Sequence, residues 1–170
     1  MIDFIVVSLP RCGTTWAANW LTTDTTVCLH DALAYQTFYE IDSNYKTNKK
    51  LGISDTGVFL YGDKLNKHPA KKVILHRDIK EINESLANIY LQPMPEELVH
   101  RLDEIDGLHV HYTDLFNNPK PIWDYLIGTE FDEERHNILK QMQIQPEFAA
   151  LEPVSKDAMQ RYFSEIFEHR

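Results

Sequence analysis

The amino-acid sequence predicts an α/β fold, a mainly parallel sheet flanked by helices, on three observations. Short apolar runs alternate with segments of helical periodicity, as strand-helix-strand units do. Those runs hold few polar residues, which suits strands covered on both faces. The first run, residues 2–7, passes directly into a small-residue turn and then a helix on which Trp16, Trp20 and Leu21 recur on one face.

Beyond that helix, residues 22–26 read as a polar turn, and Val27-Cys28-Leu29 as a very short strand or extended connection ending at His30-Asp31. Leu33, Phe38 and Ile41 stand at near-helical spacing and predict a helix over 32–41. Residues 42–56, rich in Asn, Lys, Thr, Ser and Asp, offer little to pack and predict a mobile surface loop or lid. Val58-Phe59-Leu60-Tyr61 is the expected second strand, and Val73-Ile74-Leu75 the third, ending at His76-Arg77. Asp78 opens a helix with Glu81 as a capping-box-like partner, and Ile79, Ile82, Leu86, Ile89 and Tyr90 form its buried stripe. Pro93 and Pro95 stop it, a short acidic helix runs to about Leu102, and His109-Val110-His111-Tyr112 is the fourth strand. Helical patterns follow over 122–127, 132–142 and 155–167. The last carries Met159, Tyr162, Phe163, Ile166 and Phe167 on a stripe that predicts docking on the core.

The chain of 170 residues is long enough for one core and is expected to form a single domain over 1–170. No apolar run approaches the ~20 residues a membrane helix needs, residues 1–10 lack a signal-peptide pattern, and two cysteines give no disulfide framework. A cytoplasmic protein with no membrane partner is the expectation. Residues 1–90 carry ten Lys/Arg against ten Asp/Glu, and residues 91–170 seven against sixteen, so the net charge of −9 resides in the second half. Such an acidic chain is not expected to bind nucleic acid. One local basic cluster, Lys64, Lys67, His68, Lys71 and Lys72, is either a solvated loop or an attractor of nucleotide.

The stretch Pro10-Arg11-Cys12-Gly13-Thr14-Thr15-Trp16 joins the first strand to the first helix. Gly13 lets backbone approach a ligand, Thr14 and Thr15 add hydroxyls beside the first-turn amides, and the Arg11 fork suits two oxygens of a phosphate or sulfonate. It is not a Walker A loop, whose paired glycines and lysine are lacking. The stretch resembles the 5′-phosphosulfate loop of sulfotransferases that use 3′-phosphoadenosine 5′-phosphosulfate (PAPS) and release 3′-phosphoadenosine 5′-phosphate (PAP), with Cys12 where most members have Ser. A second resemblance lies downstream. Arg77 ends a strand and Ser85 follows eight residues later, the family's spacing for the pair that grips the 3′-phosphate, although Asp78-Ile79 replaces the usual Asn-Pro. Gly62-Asp63-Lys64 and Tyr112-Thr113-Asp114-Leu115 are similar to further family segments. The glycine-rich segment near the C-terminus of cytosolic members has no counterpart, which points to the compact, Golgi-type or bacterial-like branch of the P-loop NTPase-like sulfotransferase fold, or to weaker nucleotide binding.

The resemblance implies a PAPS-dependent transferase acting on a hydroxyl or amine of a small-molecule or carbohydrate acceptor. Arg11, Cys12, Gly13, Thr14, Thr15, Arg77 and Ser85 would bind the nucleotide, and Trp16 would stack on adenine unless it belongs to the core. Asp31 lies twenty residues after Arg11, where tyrosylprotein sulfotransferases carry a catalytic Glu, and is the first candidate base. His30, with an ordinary pKa of about 6.5, is the second. Lys64 would add positive charge to the sulfonate, or is an exposed lysine without a role. Cys12 lacks the Arg six residues on that a phosphatase loop needs and reads as a stand-in for Ser. His109 and His111 share a strand face but have no recognisable third ligand, so no metal is expected. The alternatives are a nucleotide kinase-like phosphotransferase and a catalytically silent nucleotide-binding module.

Overall fold

The computed structural model describes residues 1–142. Five strands, β1 (Phe4–Ser8), β2 (Thr26–His30), β3 (Lys50–Asp55), β4 (Lys71–His76) and β5 (Leu108–His111), form one sheet in the order β2-β3-β1-β4-β5. Every pairing is parallel. The helices are α1 (Thr14–Trp20), α2 (Phe38–Asn44), α3 (Asp63–Lys67), α4 (Ile79–Ala87), α5 (Glu97–Asp103), α6 (Asp114–Asn117), α7 (Pro119–Leu126) and α8 (Glu133–Gln141). The α/β class with helix-flanked parallel strands is thus as the sequence predicts. None of the helices among the described residues is long and apolar enough to cross a membrane. The pattern over 155–167 lies outside the described residues.

β1 is the central strand and is buried along its whole length. Its register with β3 is fixed at Phe4–Gly52, and this pair explains why the second strand sits elsewhere than expected. A Cβ on Gly52 would stand 2.0 Å from the Phe4 ring, so the glycine is the space in which that ring packs. Ser54 is fully buried, but its hydroxyl donates to the Thr14 carbonyl at 2.9 Å. Buried Asp55 accepts from the Gly57 amide at 2.7 Å and the Leu33 amide at 3.0 Å. Of the stretch 42–56 expected as a loop, residues 50–55 are therefore an interior strand whose polar side chains are paired, and 42–44 complete α2. Val58–Tyr61, expected as a strand, is a 3-10 turn after β3, with Val58 and Phe59 tucked into the core.

Two smaller corrections have local causes. The helix expected over 32–41 is split into a 3-10 turn, Ala32–Ala34, and α2, because Thr37 and Glu40 make a capping box that starts α2 at Phe38. At α4, Asp78 caps as expected by accepting from the Lys80 amide at 2.7 Å, while Glu81 turns instead to Arg77, 3.1 Å away. The far end of α1 is clasped by α8. Arg135 donates to the carbonyls of Asn19 (2.8 Å) and Trp20 (2.5 Å), the last two of α1, and to that of Thr22 (2.6 Å) in the turn beyond.

Candidate functional site

All five strands run the same way, so the turns after β1, β2, β3 and β4 emerge at one edge of the sheet. From β1 the chain passes to β2 on one side, and from β4 to β5 on the other. The crevice between β1 and β4 is therefore the topological switch point, where open α/β sheets take ligands. Arg11 follows β1 there and Arg77 follows β4.

The two arginines meet through α4. Arg11 Nε donates to Ser85 Oγ at 2.9 Å, and Arg77 Nη1 donates to the Arg11 carbonyl at 2.6 Å. These contacts bridge 74 and 66 residues of sequence, so only the fold can assemble them. The Arg77 guanidinium also lies 4.6 Å over the Tyr112 ring, and its Nε meets Glu81 at 3.1 Å. The pair of forks thus has one carboxylate beside it, half exposed to solvent.

The loop backbone is unusual in the same place. Arg11 has φ 67° and Gly13 φ 85°, both left-handed, and the first bond of α1 runs from the Ala17 amide to the Gly13 carbonyl at 2.9 Å. A Cβ on Gly13 would stand 3.1 Å from Leu115 Cδ1, so position 13 is constrained by both conformation and space. Leu115 belongs to the Tyr112-Thr113-Asp114-Leu115 segment singled out in the sequence, which packs beneath the loop. Cys12 is fully buried, and burial pushes its thiol up to about 12, against a smaller lowering by Arg77. It is a packed small side chain and not a thiolate.

On the other side of β1, His30 and Asp31 end β2. His30 Nε2 lies 3.3 Å from Thr14 Oγ1, 3.1 Å from Thr15 Oγ1 and 3.2 Å from Asp31 Oδ2. The candidate base pair is thereby attached to the first turn of α1. Asp31 adopts φ 44°, and its Oδ1 accepts from the Thr56 amide at 3.2 Å and the Thr56 hydroxyl at 3.4 Å. Both His30 and Asp31 keep over a third of their side-chain surface in solvent. A proton on either can exchange with an incoming group.

Two expected site residues fall outside this arrangement. Trp16 is buried in the core, its ring 4.8 Å from Phe116, 5.3 Å from His136 and 5.4 Å from Trp20, and its Nε1 donates to the Leu139 carbonyl at 3.3 Å. The i, i+4 spacing of Trp16 and Trp20 served the helix stripe, so stacking on a base is not open to it here. Lys64, on α3, lies 5.8 Å from the Tyr39 ring, and no hydrogen bond or ion pair joins it to the Arg11 loop among the described residues. The basic cluster around it is dispersed as well. Lys72 is buried, donating to the carbonyls of His68 (2.8 Å) and Ala70 (3.1 Å), and Lys71 lies 5.8 Å from the Tyr125 ring.

His109 and His111 also part company. His109 Nδ1 is 2.8 Å from His76 Nε2, with its own Nε2 on the Ile105 carbonyl at 2.8 Å, while His111 Nδ1 meets Thr113 Oγ1 at 2.7 Å. Among the described residues no group of three or more His, Cys, Asp or Glu is placed to hold a metal ion.

Sequence reasoning missed Thr56 and Asp55 as parts of the site's frame. Asp55-Thr56-Gly57 has the composition of a turn, which signals position but not what the carboxylate bonds to. Compared with known proteins, the chain matches no family model and no curated sequence.

Proposed function

We propose that this chain is a PAPS-dependent sulfotransferase of the P-loop-like α/β type, cytoplasmic, moving a sulfonate to a hydroxyl or amine acceptor and releasing PAP. One observation carries the reading: Arg11 meets Ser85 and Arg77, 74 and 66 residues further on, at the switch point of a parallel sheet. Two guanidinium forks and a hydroxyl suit a ligand bearing more than one phosphate or sulfate group. The fit extends to the loop, where left-handed Arg11 and Gly13 shape a turn ahead of α1.

In this reading Arg11 and the loop face the 5′-phosphosulfate, while Arg77 and Ser85 face the 3′-phosphate. The hydrogen bond between Arg11 and Ser85 is the resting contact that an anion would take over from both. Trp16 plays no part in base recognition. On transfer, the acceptor oxygen bonds to sulfur as the bond from sulfur to the 5′-phosphate oxygen breaks, and the electron pair leaves on that phosphate oxygen. The acceptor proton passes to Asp31 or His30. Arg11 offsets the charge that grows on the leaving phosphate.

Thermal shift of the purified chain with PAP, AMP and ATP, each with and without Mg²⁺, tests the assignment. PAP without metal is expected to stabilise most, by roughly 2.7 kcal/mol at ~100 times its Kd. A larger shift from ATP with Mg²⁺ would favour a kinase-like phosphotransferase instead.

A further inference from the structure

The turns after β2 and β3 border an open cleft of about 370 Å³ lined by Leu33, Gly57, Leu60 and Tyr61. Small-molecule sites begin at roughly this volume, ~300 Å³. We propose, resting on the sulfotransferase reading, that this cleft is the acceptor subsite and that it takes the apolar body of a small phenol or alcohol, with sugars excluded.

Position is the first argument. Asp31 Oδ1 accepts from the Thr56 amide at 3.2 Å, and Asp55 spans the two turns by accepting from the Leu33 amide at 3.0 Å and the Gly57 amide at 2.7 Å. The lining residues and the candidate base therefore belong to one hydrogen-bonded frame. A ligand seated on Leu33 and Gly57 lies beside the residues that hold Asp31. Two other clefts among the described residues have no such relation. One of about 500 Å³ is bounded by Thr22, Thr25 and Arg135, at the turn leading into β2 and so at the opposite end of the sheet. Another, of about 250 Å³, shares Leu60 with this cleft but adds charged Asp63, Arg101 and Glu104, which do not suit an apolar ligand.

Chemistry is the second argument. No charged side chain lines the cleft, and Gly57 contributes only backbone. The Tyr61 hydroxyl accepts from the Phe38 amide at 3.3 Å and keeps its own O–H, which is the one polar side-chain group in the lining. Leu60 is 61% exposed and forms an apolar rim. A sugar brings a hydroxyl on nearly every carbon, and all but one would be desolvated here without a side-chain partner, since only Tyr61 offers one. A single-ring or two-ring alcohol has one hydroxyl to deliver to Asp31 and an apolar remainder to bury.

The test uses the whole chain, labelled PAPS, and 2-naphthol and N-acetylglucosamine as acceptors, with naphthol fluorescence as a direct binding signal. Transfer to 2-naphthol is expected to exceed that to the sugar by at least roughly tenfold in kcat/KM, and Leu60→Asp to raise the naphthol KM by a similar factor. Leu60 is exposed, so the variant is expected to fold, and an unchanged PAP titration verifies that. PAP binding with preferred transfer to the sugar overturns the subsite while leaving the sulfotransferase reading intact. Naphthol binding that Leu60→Asp abolishes, in a chain that does not bind PAP, does the reverse. Naphthol binding that Leu60→Asp leaves untouched places the ligand elsewhere and overturns the inference.

Discussion

The two flanks of β1 are built in different ways. On the β4 side the site consists of long charged side chains: Arg11 reaches Ser85 across 74 residues, and Arg77 reaches the Arg11 carbonyl across 66 and is flanked by Glu81 and the Tyr112 ring. On the β3 side it consists of short side chains and turn backbone. Asp31 is left-handed, Thr56 holds its carboxylate, and Asp55 ties the two turns together. The β4 flank is suited to attracting and gripping an anion, the β3 flank to holding one carboxylate and one imidazole in place. A binding function tolerates side chains that move to meet a ligand, whereas proton transfer needs a group fixed within hydrogen-bond reach.

This division of labour predicts different consequences for damage on the two flanks. The largest effect is expected from Asp31→Asn, which keeps size and loses basicity. Single-turnover transfer from labelled PAPS should fall roughly 10²–10⁴-fold while PAP affinity stays near that of the wild type. If His30→Gln gives the larger loss, the imidazole is the base and Asp31, 3.2 Å away, orients it. Unimpaired transfer in both variants would remove this flank from the chemistry.

Next in size is the converse. Arg77→Ala should weaken PAP by about 1.5–3 kcal/mol, the worth of charged hydrogen bonds, and affect adenosine 5′-phosphosulfate, which has no 3′-phosphate, much less. Arg11→Ala should weaken both. Equal losses for the two nucleotides in Arg77→Ala, measured by calorimetry, would show that the two arginines act as one undivided patch.

Gly13→Ala probes the loop between the flanks. With φ at 85° and Leu115 3.1 Å from the new Cβ, urea unfolding should report a loss of roughly 1–2 kcal/mol. A neutral substitution would mean that the loop relaxes without cost.

The smallest effect is expected at His76, the last residue of β4. Burial first, and then the neighbouring His109, lower its pKa, with Asp103 acting in the opposite sense. The folded state therefore binds fewer protons than the unfolded state between the depressed value and the ordinary histidine value of about 6.5, and stability rises with pH through that window. Acidification through it should lower the urea midpoint of the wild type, and His76→Gln should reduce that dependence. An unchanged slope would assign the acid sensitivity to other groups.

The two flanks also differed in how far they could be read in advance. Arg77 and Ser85 were legible because a strand end and a helix position eight residues apart make a spacing that survives without coordinates. β3 was not, since Gly52, Ser54 and Asp55 look like loop residues until Phe4, the Thr14 carbonyl and two turn amides are seen opposite them. Trp16 was open to two readings because one helical position satisfies a core stripe and a ligand stack equally well in sequence, and the packing of Phe116 and His136 decides for the core. Lys64 had charge in its favour but no geometry, and the structure sets it against Tyr39. Charge and spacing are sequence properties, while the pairing of a buried polar group depends on residues far along the chain.

The central claim is that the β1–β4 crevice recognises a 3′-phosphorylated nucleotide. Isothermal titration of PAP and AMP into the purified chain, without divalent metal, measures it most directly, because the two ligands differ only in the group assigned to Arg77 and Ser85. The account predicts PAP binding tighter than AMP by roughly 1.5–3 kcal/mol, about 10- to 100-fold in Kd. Equal affinities, or no binding of PAP, would contradict it.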